Sequence, residues 1–221
     1  MQSYRVNANN MLQIPNAEKT CKIHNVSRTF VSDYSLMTNN KEKILQTALR
    51  LFAERGYNGT PTSLVAKEAS VSEGLIFRHF SSKSGLLEAI ILEGLAQIAE
   101  TMRPYETTME PRKAILEHID QSMRLMREQT LFWRLVQQVR FQPAVMQVAG
   151  SRMEQVNEFV MTRLTGHFQK LGAHQPALEA AVLFALIDGI SIHFLQDPER
   201  YPLDAIAQSL KNRYINETFL G

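Results

Sequence analysis

Cysteine is nearly absent from this chain. The single thiol, Cys21, excludes an intramolecular disulfide framework and any four-cysteine zinc site, and it suits a reducing cytoplasm, the expected location. Also missing are a glycine-rich phosphate loop, a paired-histidine motif and a cysteine beside a plausible base. No enzyme is therefore expected, and neither a cofactor nor a metal. His118, His167 and His193 have no metal-ligand spacing with one another or with acidic partners, and read as ordinary polar positions. Long unbroken apolar runs are lacking too. The greasiest segment, residues 177–195, contains Glu179 and Asp188, and the first twenty residues hold no apolar stretch of signal-peptide length. The expectation is no export signal and no membrane span.

Charge of one sign is scarce as well: the net charge is +2. Its distribution is less even than its sum. Lys plus Arg against Asp plus Glu is four against two over residues 1–36, seven against five over 37–91, and thirteen against fifteen over 92–221. The positive excess lies in the first 91 residues, where a polyanion would be met if one is bound. With 221 residues, 44% hydrophobic and 21% charged, the chain has the composition of a folded globular protein and enough length for one core plus a small module, or two modest domains.

Residues 1–38 are rich in Asn, Ser and Thr and show no sustained period, so they read as an irregular or disordered arm. Met37, a few residues before the recognisable fold, is an equal candidate for the translational start. From Lys41 onward nearly every segment has helical spacing and alternating β-branched runs are absent, which predicts an all-α protein. A first helix over 41–55 carries the stripe Ile44, Leu45, Ala48, Leu51 and Phe52 and stops at Gly56. Thr60 is placed to N-cap a short second helix ending near Ala69, with Pro61 in its first turn. After Ser70-Val71-Ser72 a third helix spans 73–79, capped by Ser72, and Ser82 can cap a fourth. Beyond, helices are expected from Pro111 and over 131–139, 153–171, 178–195 and 203–214, with Gly150, Gly172, Pro198 and Pro202 as breaks.

The stretch 41–91, read as ILQTALRLFAERGYNGT, then VAKEASVS, then GLIFRHFSSKSGLLEAI, resembles the DNA-binding domain of the TetR/AcrR family of bacterial regulators. The resemblance implies a helix-turn-helix domain over 39–91, followed over 92–221 by a helical domain for dimerisation and ligand sensing. It implies a ligand-responsive repressor that binds a palindromic operator in double-stranded DNA as a homodimer. Two other classes remain open on the residues alone: a helical adaptor that binds protein through 131–139, and a helical enzyme using Glu154, Asp188 and His193.

In a helix-turn-helix the second helix must bury one side and present the other to the major groove. Spacing turns Val71, Ile76 and Phe80 inward and leaves Glu73, Gly74, Leu75 and Arg78 facing out. Arg78 can pair with guanine, Leu75 can touch a thymine methyl, Gly74 permits close backbone approach, and Glu73 can accept from cytosine or simply repel phosphate. By resemblance, Thr60, His79 and Lys83 match backbone-holding positions; a structural hydrogen bond for His79 and a solvated side chain for Lys83 are the alternatives. Phe77 stands where the family usually has tyrosine, and Ser70 where it favours glycine.

The final two helices resemble the pair that family members use as a dimer interface, with Leu186, Gly189, Ile190 and Leu210 the candidates here. A glycine inside the apolar run LFALIDGISIHFL points to a close helix neighbour, in this chain or in a second copy. Met123, Trp133, Phe159 and Phe184 can line a pocket for a small apolar or amphipathic effector, or can be core.

Overall fold

The computed structural model describes residues 28–102 and 110–215, with side chains over 40–97, 110–142, 146–147 and 150–215. Among the described residues all regular structure is helical. The helices are α1 (Arg28–Arg55), α2 (Thr62–Glu68), α3 (Glu73–Phe80), α4 (Lys83–Met102), α5 (Pro111–Glu128), α6 (Thr130–Val139), α7 (Pro143–Lys170), α8 (Pro176–Gln196) and α9 (Leu203–Ile215).

Helix α1 begins at Arg28, not Lys41. No proline or glycine occurs between Arg28 and Arg55, so nothing stops propagation upstream of the core-facing turns. The irregular reading is thereby corrected for 28–38, while 1–27 lies outside the described residues. The stripe Ile44, Leu45, Ala48, Leu51 and Phe52 is buried as its spacing requires.

Two helix ends in this chain use the same closure. At the end of α7, Gly172 takes φ +80°, its N–H donates to Gln169 O and that of Ala173 to Phe168 O. At the end of α2, Ser70 takes φ +55°, its N–H donates to Lys67 O and that of Val71 to Ala66 O. Both are Schellman closures. A serine sits in the left-handed position at the tighter of the two turns, the one that leads into α3. A second serine, Ser81, takes φ +63° directly after α3.

Asn39–Gly221 forms one compact unit. The expected boundary after Ile91 falls inside the continuous helix α4, and a first core crosses it, joining side chains of α1–α4 to Leu125 of α5 and Phe132, Leu135, Val136 and Val139 of α6. Gly94 makes this junction possible, because a Cβ there would lie 2.1 Å from the Phe132 ring. A second core gathers Ile115, Ile119, Leu164, Phe168, Leu183 and Leu203 with neighbours from α5, α7, α8 and α9. Gly150, expected as a break, lies buried inside α7. One glycine destabilises a helix by only about 1 kcal/mol, which the packing of a long helix outweighs.

Candidate nucleic-acid interface and an internal cavity

Helices α2 and α3 form the helix-turn-helix. Ser72 opens α3, its Oγ accepting from Leu75 N at 3.3 Å, and Ser82 Oγ accepts from Gly85 N at 3.0 Å at the start of α4. Gly85 is fixed by close approach: a Cβ there would meet Phe80 O at 2.1 Å. Ile76 and Phe80 are buried and Val71 packs beside them, so the inward side of α3 is as its spacing predicts.

The outward side is more selective than expected. Glu73, Gly74, Phe77 and Arg78 are exposed, but Leu75 is half-buried against the first core and offers only part of its surface. Among the described residues nothing lies within 4 Å of a Cβ built on Gly74, and its φ is not in the left-handed region. Neither packing nor backbone strain therefore requires glycine there. Arg78 has no ion pair or hydrogen bond among the described residues. Glu73 is not free: Thr62 Oγ1 donates to its Oε1 at 2.6 Å, tying the first turns of α2 and α3 together. Sequence reasoning missed this pair because the partners lie eleven positions apart across a turn.

Thr60 is corrected. It is fully buried, and its Oγ1 donates to Gly56 O at 2.9 Å and Leu51 O at 3.3 Å, closing the end of α1 rather than capping α2. Pro61 holds the N-cap position of α2 and supplies no side-chain bond. The residues at that helix start with reach to an anion are the half-exposed Thr62 and exposed Ser63.

Lys83 is neither freely solvated nor simply projecting. Its Nζ sits 4.5 Å from the Tyr57 ring centroid and 3.4 Å from Asn58 O, and burial lowers its pKa. The cation is thus held in place at the first residue of α4. His79 is half-buried and tilted against Phe80; its Nε2 is buried with no hydrogen-bond partner. Burial first, then Arg78 and Lys41, lower its pKa, which favours the neutral ring. That geometry suits a structural role better than a phosphate contact.

Behind this module α5, α6, α7 and α8 enclose a cavity of about 200 Å³. Trp133 and Phe184 line it. Met123 is instead buried in the second core, and Phe159 packs on that core with the Arg163 guanidinium 5.0 Å from its ring; neither lines the cavity. Polar residues of the wall include Gln137 and Arg140, which the sequence did not single out, together with Asp188 and His118. Arg140 NH1 donates to Asp188 Oδ1 at 2.7 Å and to Gln137 Oε1 at 2.8 Å. His118, expected as an ordinary polar position, is pushed down to a pKa of about 4 by burial and then by His167. Of the groups considered for an enzyme, Asp188 is paired with Arg140 and His193 is stacked on Tyr201.

Helix α8 has two apolar sides. One, with Ala180, Leu183, Ile190 and Phe194, is buried within the chain. The other exposes Leu178, Val182, Leu186 and Ile192, each 36–53% accessible. Of the expected interface residues, Leu186 and Gly189 lie on the open side, and among the described residues nothing stands within 4 Å of a Cβ on Gly189. Ile190 and Leu210 are corrected: both belong to the second core. By length and composition alone α8 could cross a membrane, despite Glu179 and Asp188, with 28% of its most apolar window buried in the chain.

The fold and this geometry define a class: an all-helical protein with a helix-turn-helix module carried on a larger helical body. Residues 44–90 match the family model "Bacterial regulatory proteins, tetR family". It is 42% identical over 55 residues to the uncharacterised HTH-type transcriptional regulator YvkB of Bacillus subtilis, a stretch covering 25% of this chain and 29% of that protein. It is 38% identical over 65 residues, 29% and 35% of the two chains, to the HTH-type transcriptional repressor AcnR of Corynebacterium glutamicum. These matches span about a third of the relatives' length. The whole fold is similar to a transcriptional regulator of Saccharomonospora viridis solved with choline, with TM-score 0.66, 23% identity and coverage of 82% of this chain and 97% of that one. It is likewise similar to FadR of Bacillus subtilis solved with stearoyl-CoA, with TM-score 0.68, 19% identity and coverage of 79% and 97%.

Proposed function

We propose that the protein is a cytoplasmic transcriptional repressor that binds a palindromic operator as a homodimer and responds to a small molecule held in the cavity. The observation that carries the DNA reading is the exposed face of α3. It combines an unpaired Arg78, a glycine that nothing inside the chain requires, and a lysine fixed at the start of α4. Arg78 supplies base readout, with the Thr62-held Glu73 beside it, while Lys83 and the amides opening α2 and α4 hold phosphate.

The dimer reading rests on the open side of α8. Four large apolar side chains in one stripe would be left in water by the chain alone, and the unfilled space beside Gly189 admits a close helix. The two-fold pair then meets half-sites roughly 34 Å apart. The effector reading rests on α6, which faces both ways. Gln137 and Arg140 line the cavity, Phe132 fills the gap at Gly94 of α4, and Gln138 Nε2 donates to Ala53 O of α1 at 2.9 Å. A ligand that moves α6 therefore biases the helix-turn-helix.

The test is retardation of random-sequence duplex DNA at low salt. The chain should bind with a steep salt dependence, and Lys83→Ala should lower affinity about evenly across sequences and flatten the slope by roughly one unit. No retardation at low salt would overturn the reading.

A further inference from the structure

The cavity is closed to charge from within. Its cation and its anion, Arg140 and Asp188, are paired at 2.7 Å, and Gln137 Nε2 completes the set by donating to Asp188 Oδ1 at 3.3 Å and to Ser191 Oγ at 3.0 Å. Ser191 Oγ donates to Asp188 O at 2.7 Å, and Ser122 Oγ to His118 O at 2.7 Å. A carboxylate that displaced Asp188 from Arg140 would strand Asp188, and a cation that displaced Arg140 from Asp188 would strand Arg140. Either exchange leaves a partly buried charge without its partner, which is strongly unfavourable.

One donor in the wall stands apart. The indole of Trp133 lines the cavity, and its Nε1–H is buried without a hydrogen-bond acceptor among the described residues. Among the described residues it is the only cavity-lining side chain in that state. The ring is braced edge-on against Phe132 at 5.5 Å, so its position is fixed. A buried donor left unpaired is costly, and a ligand acceptor placed against it removes that cost. Most of the remaining wall is apolar: Leu95, Leu125, Met126, Val136, Val160 and Ile187.

We infer that this cavity is built for a small uncharged molecule: an apolar body with one hydrogen-bond acceptor, a ketone, ester or ether oxygen, that receives the Trp133 indole N–H. The inference rests on the effector reading above and adds the ligand's chemical class. At the packing density of an organic solid, the space of about 200 Å³ holds on the order of ten non-hydrogen atoms. His118, neutral at pH 7, adds no charge to the wall.

Trp133 is the only tryptophan of the chain, so its emission reports the site directly. Four probes of one length, 2-octanone, n-octane, octanoate and octylammonium, are titrated into the full chain at pH 7 with two readouts, Trp133 emission and melting temperature. The ketone should shift the emission and bind about fivefold more tightly than the alkane, the worth of one ordinary hydrogen bond. The two ions should bind more weakly than the alkane. In Trp133→Phe, read by melting temperature, the ketone preference should be lost, and the ketone should bind no more tightly than the alkane because its oxygen is buried without a donor. Should that variant fold poorly, the ketone-to-alkane ratio in the unaltered chain decides alone.

Tighter binding of octanoate or octylammonium than of 2-octanone overturns the proposal, as does a ketone preference that survives in Trp133→Phe, or no binding by any probe. Failure of the underlying reading looks different: the ketone binds at Trp133 as described, yet DNA retardation is unchanged with the site saturated.

Discussion

Ser70 and Ser81 hold left-handed backbone on either side of α3, a conformation that β-carbons disfavour by roughly 1–2 kcal/mol. Gly172 closes α7 with the same hydrogen-bond pattern and without that penalty. Ser70→Gly should therefore stabilise the protein by about 1 kcal/mol, raising the melting temperature by roughly 2–4 °C, after allowance for the extra freedom glycine gives the unfolded chain. A lower melting temperature would show that Ser70 is not strained. Phe77, exposed on the outer side of α3, tests the interface at the same scale. Restoring a hydroxyl in Phe77→Tyr should tighten DNA binding about fivefold without altering sequence preference, and unchanged or weaker affinity at fixed salt counts against a backbone contact there.

His118 gives a pH dependence whose sign follows from its burial. Its folded pKa is about 4, below the ordinary 6.5, so the unfolded chain binds the proton more readily. The contribution to stability is full above about pH 6.5 and is lost as pH falls toward 4, on the order of 2–3 kcal/mol. His118→Gln should flatten denaturant stability across that window, though not abolish its slope, because burial also lowers the pKa of His167. An unaltered slope would contradict the assignment. At this scale the sequence was legible where a residue acts locally: the Ser72 and Ser82 caps follow from spacing, and the turn at Ser70 was marked by the resemblance, which has glycine there. It was not legible at Thr60, whose hydroxyl reaches back to two carbonyls of α1, nor at Thr62 and Glu73, which meet only after the turn forms.

Among the elements, two glycines mark where helices pass too closely for a side chain, and neither was conspicuous by periodicity. Gly85 stands against the last carbonyl of α3 and Gly94 against the Phe132 ring. Their alanine variants should differ in kind. Gly85→Ala pushes on backbone and should destabilise the helix-turn-helix by roughly 1–3 kcal/mol, seen as a lower melting temperature together with weaker DNA binding. Gly94→Ala pushes on a ring in α6, the helix shared with the cavity, so it should alter the response to a bound ligand at a smaller loss of stability. Equal effects of the two on ligand response would argue against α6 as the link. The helices themselves were readable from their apolar stripes, but their ends were less so. Helix α1 extends upstream because nothing interrupts it, and α7 runs through Gly150 because its packing outweighs one poor helix former.

For the whole molecule, helix α8 carries the clearest mark of something beyond a single chain. The sequence showed an apolar helix with an internal glycine. It did not show which side would be buried: Ile190, an interface candidate by sequence, belongs to the core, and Leu178 and Val182 lie on the open side. The same limit applies to the cavity: aromatic residues were visible in the sequence, but the Arg140–Asp188 pair joins α6 to α8 across 48 positions and appears only in the fold.

The most direct test of the central claim is selection of bound sequences from randomised duplex DNA with the full chain, repeated with Arg78→Ala. The account predicts enriched palindromes with half-sites about one helical turn apart or a multiple of it, and loss of preference at one base pair per half-site in the variant. Enrichment of a single asymmetric site, or a preference that Arg78→Ala leaves unchanged, would contradict it.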